Sequence, residues 1–410
     1  MCSNPVDKLV FDDDWSDLTR FQDMPQIDLE RMSRYRMSRL KQQLKLHDAA
    51  LCVLVNPISL RYAVDYRSYM LFQAHIPTVY LLVPQDGPTV FYGCYYDVPQ
   101  VDDFRRGRPH AFFDGGTNID VAASGFADDI VAYLEEIGST NRRVAIEYVN
   151  PSITQALEAR DIEVIDGVRI AETARLIKSE DEINCMRWAI AVGQHGADMV
   201  KKALRPGVTE LQLWGLLNYT NIANNGDWHE GRMLSSGPRI NPWLQEASDR
   251  RIEAGDLVGF DTDMVGPFGY FVDLSRTFHC GPTKPTRRQK QIYRLAVAEI
   301  EHNLKLVYPG MSLKEMQQQA YPVPEDCRQN AYPCIMHAVG MCDEYPQAKH
   351  LFREENPYDC ELEAGMVVCI ESYMGPQGER DGVKLEQQVL ITEQGYEILT
   401  TYPWEESLLD

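Results

Sequence analysis

Five carboxylates and one imidazole stand in the C-terminal part of this chain, each in or beside a short apolar run. They are Asp261 and Asp263 in GFDTDM, Asp273 in YFVDLSRTF, His337 in IMHAVG, Glu371 in VVCIESY and Glu386 in VKLEQQVLIT. A charged side chain in apolar surroundings is costly unless something pairs with it. Two divalent cations about 3.5–4 Å apart would pair with all six groups at once. Hard oxygen ligands with one imidazole suit iron, manganese, zinc or cobalt better than a structural zinc, which prefers thiolates. Taken singly, each acidic residue could equally be a turn or edge residue; the set of six is harder to explain that way.

The elements that must carry these groups follow from periodicity. A strand expected over 257–263 would turn Asp261 and Asp263 to one side. Gly266, Pro267 and Gly269 turn the chain back, so Asp273 should lie on the return strand. Near the C-terminus Glu371 ends an apolar run from Val367. A turn over 375–382 follows, and Lys384, Glu386 and Gln388 share the polar face of the next strand. His337 comes from a third segment.

Earlier in the chain the pattern is α/β. A helix is expected over 29–46, a strand over 51–55, a hairpin over 78–92, and a helix near 122–137 between further short strands. Residues 1–26 carry no period and read as an arm. A domain over 27–175 and a second over 176–410 follow, divided where Ser179 and Glu182 form a capping box. The C-terminal part holds a weak repeat. Helices stopping at Arg205-Pro206-Gly207 and at Tyr308-Pro309-Gly310 are each followed by a capped helix, with Thr209/Gln212 and Ser312/Glu315 as the caps.

The 410 residues are 44% hydrophobic and carry a net charge of −21, which argues against a nucleic-acid partner. Arg31, Arg34, Arg36, Arg39 and Lys41 read as a solvated helix face. Ten scattered cysteines without a C-x-x-C pair read as reduced thiols. The acidic N-terminus has no apolar h-region, and no run is long enough to span a membrane, so a cytoplasmic enzyme is expected.

The order Asp, Asp, His, Glu, Glu resembles the creatinase, prolidase and methionine aminopeptidase superfamily, with RLIKSEDEI at 175–183 similar to its domain junction. That resemblance implies a creatinase-like α/β domain followed by a pita-bread domain with a pseudo-twofold repeat. The peptidase pattern is altered in three places. Asp263 is an added carboxylate, Trp243 stands in a segment where peptidases carry a histidine, and Asp343 in HAVGMCDE stands where they carry another. DTDMVGPFGYFVD, MHAVGMCDE, CIE and KLE together resemble the DddP-type dimethylsulfoniopropionate (DMSP) lyases.

This second resemblance implies that Asp261, Asp263, Asp273, His337, Glu371 and Glu386 bind two metals, iron foremost. It implies that Asp343 is the base of a β-elimination and that the partner is a small zwitterionic sulfonium. Aromatic faces that could hold the sulfonium are Trp243, Tyr332, Phe72 and Tyr373. Burial would raise the pKa of Asp343 and suit it to the task. Arg276 is expected to brace Asp273. A homodimer is implied by the superfamily. The alternatives are a dimetal hydrolase of the Xaa-Pro peptidase or small-amide type, and a non-catalytic interaction module.

Overall fold

A computed structural model of the chain describes residues 24–93, 98, 100–105 and 116–410. Most of the expected N-terminal arm lies outside the described residues. Two compact units divide the described residues, one over Asp28–Leu176 and one over Ile177–Asp410.

The N-terminal unit runs α1 Leu29–Leu46, β1 Leu51–Leu54, α2 Pro57–Val64, α3 Met70–His75, β2 Tyr80–Pro84, β3 Val90–Tyr92, β4 Asp103–Arg105, α4 Ile119–Glu136, β5 Arg143–Ile146, α5 Pro151–Glu158, β6 Glu163–Asp166 and α6 Gly167–Arg175. Its sheet has the order β4-β3-β2-β1-β5-β6, with β1, β5 and β6 parallel. Asp28, Asn56, Asn150 and Asp166 each accept a backbone N–H at a helix start. Leu51, Val53 and Leu82 from the strands and Phe126 and Ile130 from α4 make one core. The basic face of α1 is only partly solvated. Arg36 is buried over the Tyr62 ring, and Arg39 donates to the carbonyls of Thr173 and Ala174.

The C-terminal unit continues with α7 Glu180–Ala203, α8 Glu210–Ala223, β7 Trp228–His229, β8 Leu234–Ser236, β9 Leu257–Asp261, β10 Met264–Val265, β11 Phe271–Val272, β12 Ser275–His279, α9 Arg287–Leu304, α10 Leu313–Gln319, β13 Cys334–Val339, β14 Asp343–Lys349, β15 Val367–Met374, β16 Val383–Thr392, β17 Gly395–Ile398 and α11 Glu406–Leu409. Ser179 and Glu182 close a full capping box on α7, and Thr209 with Gln212 closes another on α8. The strands form sheets of order β12-β9-β8, β11-β10-β7 and β14-β13-β15-β16-β17.

The repeat is written into the backbone. Thr209 bridges Arg251, and Ser312 bridges Glu361. Gly207 N donates to Ile252 O and Gly310 N to Leu362 O, both at 2.8 Å. The turns Glu253-Ala254-Gly255 and Glu363-Ala364-Gly365 then lead into β9 and β15, with φ of +89° at Gly255 and +91° at Gly365. That left-handed backbone favours glycine. The repeat therefore places Asp261 and Glu371 at equivalent strand positions. Mixed α/β architecture with a strand-rich C-terminal unit of pita-bread design is what the chain adopts.

Candidate metal centre

Three pieces of backbone build the site. Glu371 on β15 and Glu386 on β16 lie directly opposite each other across the antiparallel ladder, and His337 on β13 opposes Cys369 on β15. Asp261 ends β9 and opposes Ser275 at the start of β12. Thr277 Oγ1 donates to Lys384 O at 2.8 Å, and Arg276 Nη1 donates to Glu386 O at 2.7 Å, so side chains of β12 tie the smaller sheet to β16.

The strand carrying the aspartates is shorter than expected. It stops at Asp261, and Asp263 has φ of +37°, so strand alternation does not place the two side chains. The expected loop after it holds the short β10–β11 hairpin. Asp273 falls at the junction between β11 and β12 rather than inside a strand.

The side chains converge. His337 Nε2 lies 3.2 Å from Asp273 Oδ2 and 3.2 Å from Glu371 Oε1. Ligand atoms of Asp261, Asp273 and Glu386 lie within 4.8 Å of one another, and so do those of Asp273, His337 and Cys369. Asp261 Oδ1 and Glu386 Oε1 are buried with no hydrogen-bond partner. Buried carboxylate oxygens without partners are costly, and a divalent cation satisfies them. His337 Nδ1 faces Ala338 O at 3.1 Å, which fixes the tautomer that leaves Nε2 as a donor atom to metal. The residues therefore fit a two-cation centre. Cys369 was not foreseen as a ligand; its place two residues before Glu371 on one strand face is the signal.

Charge is concentrated here. Burial, with the like charge of Glu386, raises the Asp261 carboxyl despite Lys384. Burial and the neighbouring carboxylates raise Asp263 and Asp273 well above the usual range. For His337 burial works against the charged form, but Asp343, Asp273 and Glu371 outweigh it, and the imidazole is raised well above its usual value.

Other placements differ from expectation. Asp343 is not buried: it opens β14 with its side chain 64% exposed and Oδ1 3.6 Å from His337 Nδ1. Arg276 does not brace Asp273. It donates to Glu386 O, Gln387 Oε1 and Tyr402 O and lies over the Trp404 ring. Tyr332 has a cation on its face, but that cation is Lys384 Nζ, 4.4 Å from the ring centroid. Tyr373 is buried, its hydroxyl donates to Ile240 O, and its ring packs 6.1 Å from that of Trp243. Phe72 lies on α3 of the N-terminal unit.

Two further groups were missed. His229 on β7 is held between Thr262 O and the Trp214 ring, and burial lowers its pKa. Glu230 donates its N–H to Asp263 O, and its carboxyl is raised by burial and by Asp343 nearby. Both precede the stretch in which a histidine was sought. Among the described residues no helix is long and apolar enough to cross a membrane.

Known proteins match along most of the chain. A DMSP lyase DddP from Roseovarius nubinhibens is 35% identical over 395 residues, covering 93% of this chain and 88% of that protein. The structure of an Xaa-Pro dipeptidase from Bacillus anthracis superposes with a TM-score of 0.72 at 21% identity, covering 91% of this chain and 99% of that one. A prolidase from Pyrococcus horikoshii gives a TM-score of 0.68 at 20% identity, over 90% of this chain and 99% of that one. Residues 184–393 match the metallopeptidase family M24. With that match, the curated relative and the cage of buried carboxylates, the chain belongs to metallopeptidase family M24.

Proposed function

We propose that this M24 enzyme is a metal-dependent lyase that cleaves DMSP or a close sulfonium analogue to dimethyl sulfide and acrylate. The observation that carries the reading is the aspartate beside the cage histidine. Asp343, a carboxylate able to accept a proton, stands next to His337 where the peptidase pattern has an imidazole. The relative at 35% identity is a DMSP lyase, which supports the same reading.

Asp261, Asp263, Asp273, His337, Glu371 and Glu386 would hold the cations, with Cys369 at the wall. Divalent cations held there would supply positive charge that favours build-up of negative charge on the substrate carboxylate. Asp343 takes the proton from the carbon alpha to that carboxylate. The freed electron pair forms the Cα–Cβ double bond, the Cβ–S bond breaks with its pair left on sulfur, and dimethyl sulfide departs neutral. No leaving group then needs a proton. An exposed Asp343 returns its proton to water without a relay. Trp243 is the aromatic face proposed for the sulfonium, since Lys384 Nζ already occupies that of Tyr332.

The comparisons taken together give wider support to a second reading, a dimetal hydrolase of Xaa-Pro dipeptides or small amides. Family M24 carries a peptidase name, and the two solved structures are a dipeptidase and a prolidase. Metal-loaded protein incubated in parallel with DMSP and with Xaa-Pro dipeptides separates them. Dimethyl sulfide in the headspace without dipeptide cleavage is the expected result. Dipeptide turnover with no sulfide at millimolar DMSP overturns the lyase reading and leaves the hydrolase.

A further inference from the structure

Lys384 is fully buried, and its ammonium sits among the groups assigned to the cations. Its Nζ lies 2.6 Å from Glu371 Oε2, 3.1 Å from Asp261 Oδ2, 3.2 Å from Glu386 Oε2 and 2.8 Å from Ser275 Oγ. Each of the three carboxylates is therefore divided. One oxygen meets the ammonium, and the other is left over. The leftover atoms are Asp261 Oδ1 and Glu386 Oε1, both buried without a partner, and Glu371 Oε1, which faces His337 Nε2. Ser275 Oγ also donates to Glu386 Oε2 at 2.7 Å, so the side turned away from the free oxygens is closed by donors.

We infer that Lys384 is a resident third cation of the centre, a positioning residue that holds one oxygen of Asp261, Glu371 and Glu386 and turns the other oxygen of each toward the metals.

Charge balance points the same way. When ionised, Asp261, Asp263, Asp273, Glu371 and Glu386 carry five negative charges; two divalent cations supply four positive ones, and Lys384 supplies the fifth. A buried cluster is stable only when its charges are matched. The ammonium accompanies the metals and does not compete with them. Its reach also explains the spacing of KLE: residues two apart on β16 project from one face, so the lysine and Glu386 enter the cage together.

The inference rests on the metal-binding part of the proposed function and not on lyase chemistry. Metal-free wild type, Lys384→Met and Lys384→Arg are titrated with Co(II) by calorimetry, with metal content by mass spectrometry and folding by circular dichroism. The expected result is two equivalents in wild type. Lys384→Met should fold but bind at least tenfold more weakly or hold fewer equivalents, and Lys384→Arg should recover part of the loss. Lys384→Met binding two equivalents as tightly as wild type, or more tightly, overturns the inference and makes the lysine a competitor for the cage. Wild type that binds no Co(II) sinks the metal centre itself, a different failure. Should Lys384→Met not fold, Ser275→Ala carries the question: weaker Co(II) binding supports the clamp, and unchanged binding overturns it.

Discussion

Lys178 Nζ lies 2.9 Å from Glu344 Oε2, and both side chains are 1% exposed. Glu344 Oε1 also accepts the backbone N–H of Met341, and a Cβ on Gly340 would lie 2.4 Å from Glu344 Oε2. The pair thus pins the turn over 340–344, in which Asp343 is the exposed member. Breaking a buried pair from one side costs about 3–5 kcal/mol, because a charge is left in low dielectric. Lys178→Met should lower stability by about that much in urea denaturation. It should also slow turnover through displacement of Asp343 at unchanged metal content. A variant of wild-type stability would show the pair to be dispensable.

Asp343→Asn keeps the shape of the side chain and removes its basicity. General base catalysis contributes roughly 10²–10⁴-fold, so elimination should fall by at least about a hundredfold. Metal content should stay at the wild-type value, since the oxygen of Asp343 is 3.6 Å from Nδ1 of His337 and not on the Nε2 side. Elemental analysis beside a dimethyl sulfide assay checks both. Loss of metal would make Asp343 a support of the cage.

Metal uptake should release protons. In the metal-free chain burial holds the protons on the carboxyls of Asp261, Asp263 and Asp273 more tightly than usual, and the neighbouring carboxylates do the same for His337. A cation needs neutral imidazole and ionised carboxylates. Apparent affinity should therefore climb as pH rises. Calorimetry in buffers of different ionisation enthalpy measures the protons released; identical heats in all buffers would contradict this.

Glu299 on α9 is a buried acid that the proposed reaction does not use. Burial pushes it from 4.5 up to about 8; Ser372 Oγ donates to its Oε2 at 2.6 Å, and its Oε1 has no partner. Its folded pKa exceeds the unfolded one, so the native state holds more protons between them. Stability from this group falls as pH rises through that window. Glu299→Gln removes the titration, so it should add several kcal/mol above about pH 8 and nothing below about pH 4. Thermal unfolding across pH tests it; equal gain at both ends would point to packing instead.

Much of this was legible in the chain. Ser179, Thr209 and Ser312 announce helix starts because capping is local chemistry; apolar surroundings marked each candidate ligand singly, and the resemblance of their order to the superfamily joined the six into a set. Strand alternation put Lys384 and Glu386 on one polar face, but alternation cannot say whether that face meets water or a second sheet. Here β12 covers it, and the lysine becomes part of the centre. Asp263 was misplaced because a single residue of positive φ interrupts the period. The exposure of Asp343 and the burial of Glu299 depend on contacts between distant segments, which no local pattern encodes.

The direct opposition of Glu371 and Glu386 has a consequence for how readily the ladder opens. Like charges facing each other across a ladder push the strands apart unless cations lie between them. The ladder concerned joins β15 to β16, from Val367↔Leu390 to Met374↔Val383, at the heart of the strand-rich unit. Cation binding thus favours the closed ladder by mass action. Without metal only the Lys384 ammonium lies between the two carboxylates, so amide exchange along this ladder should quicken when the cations are removed.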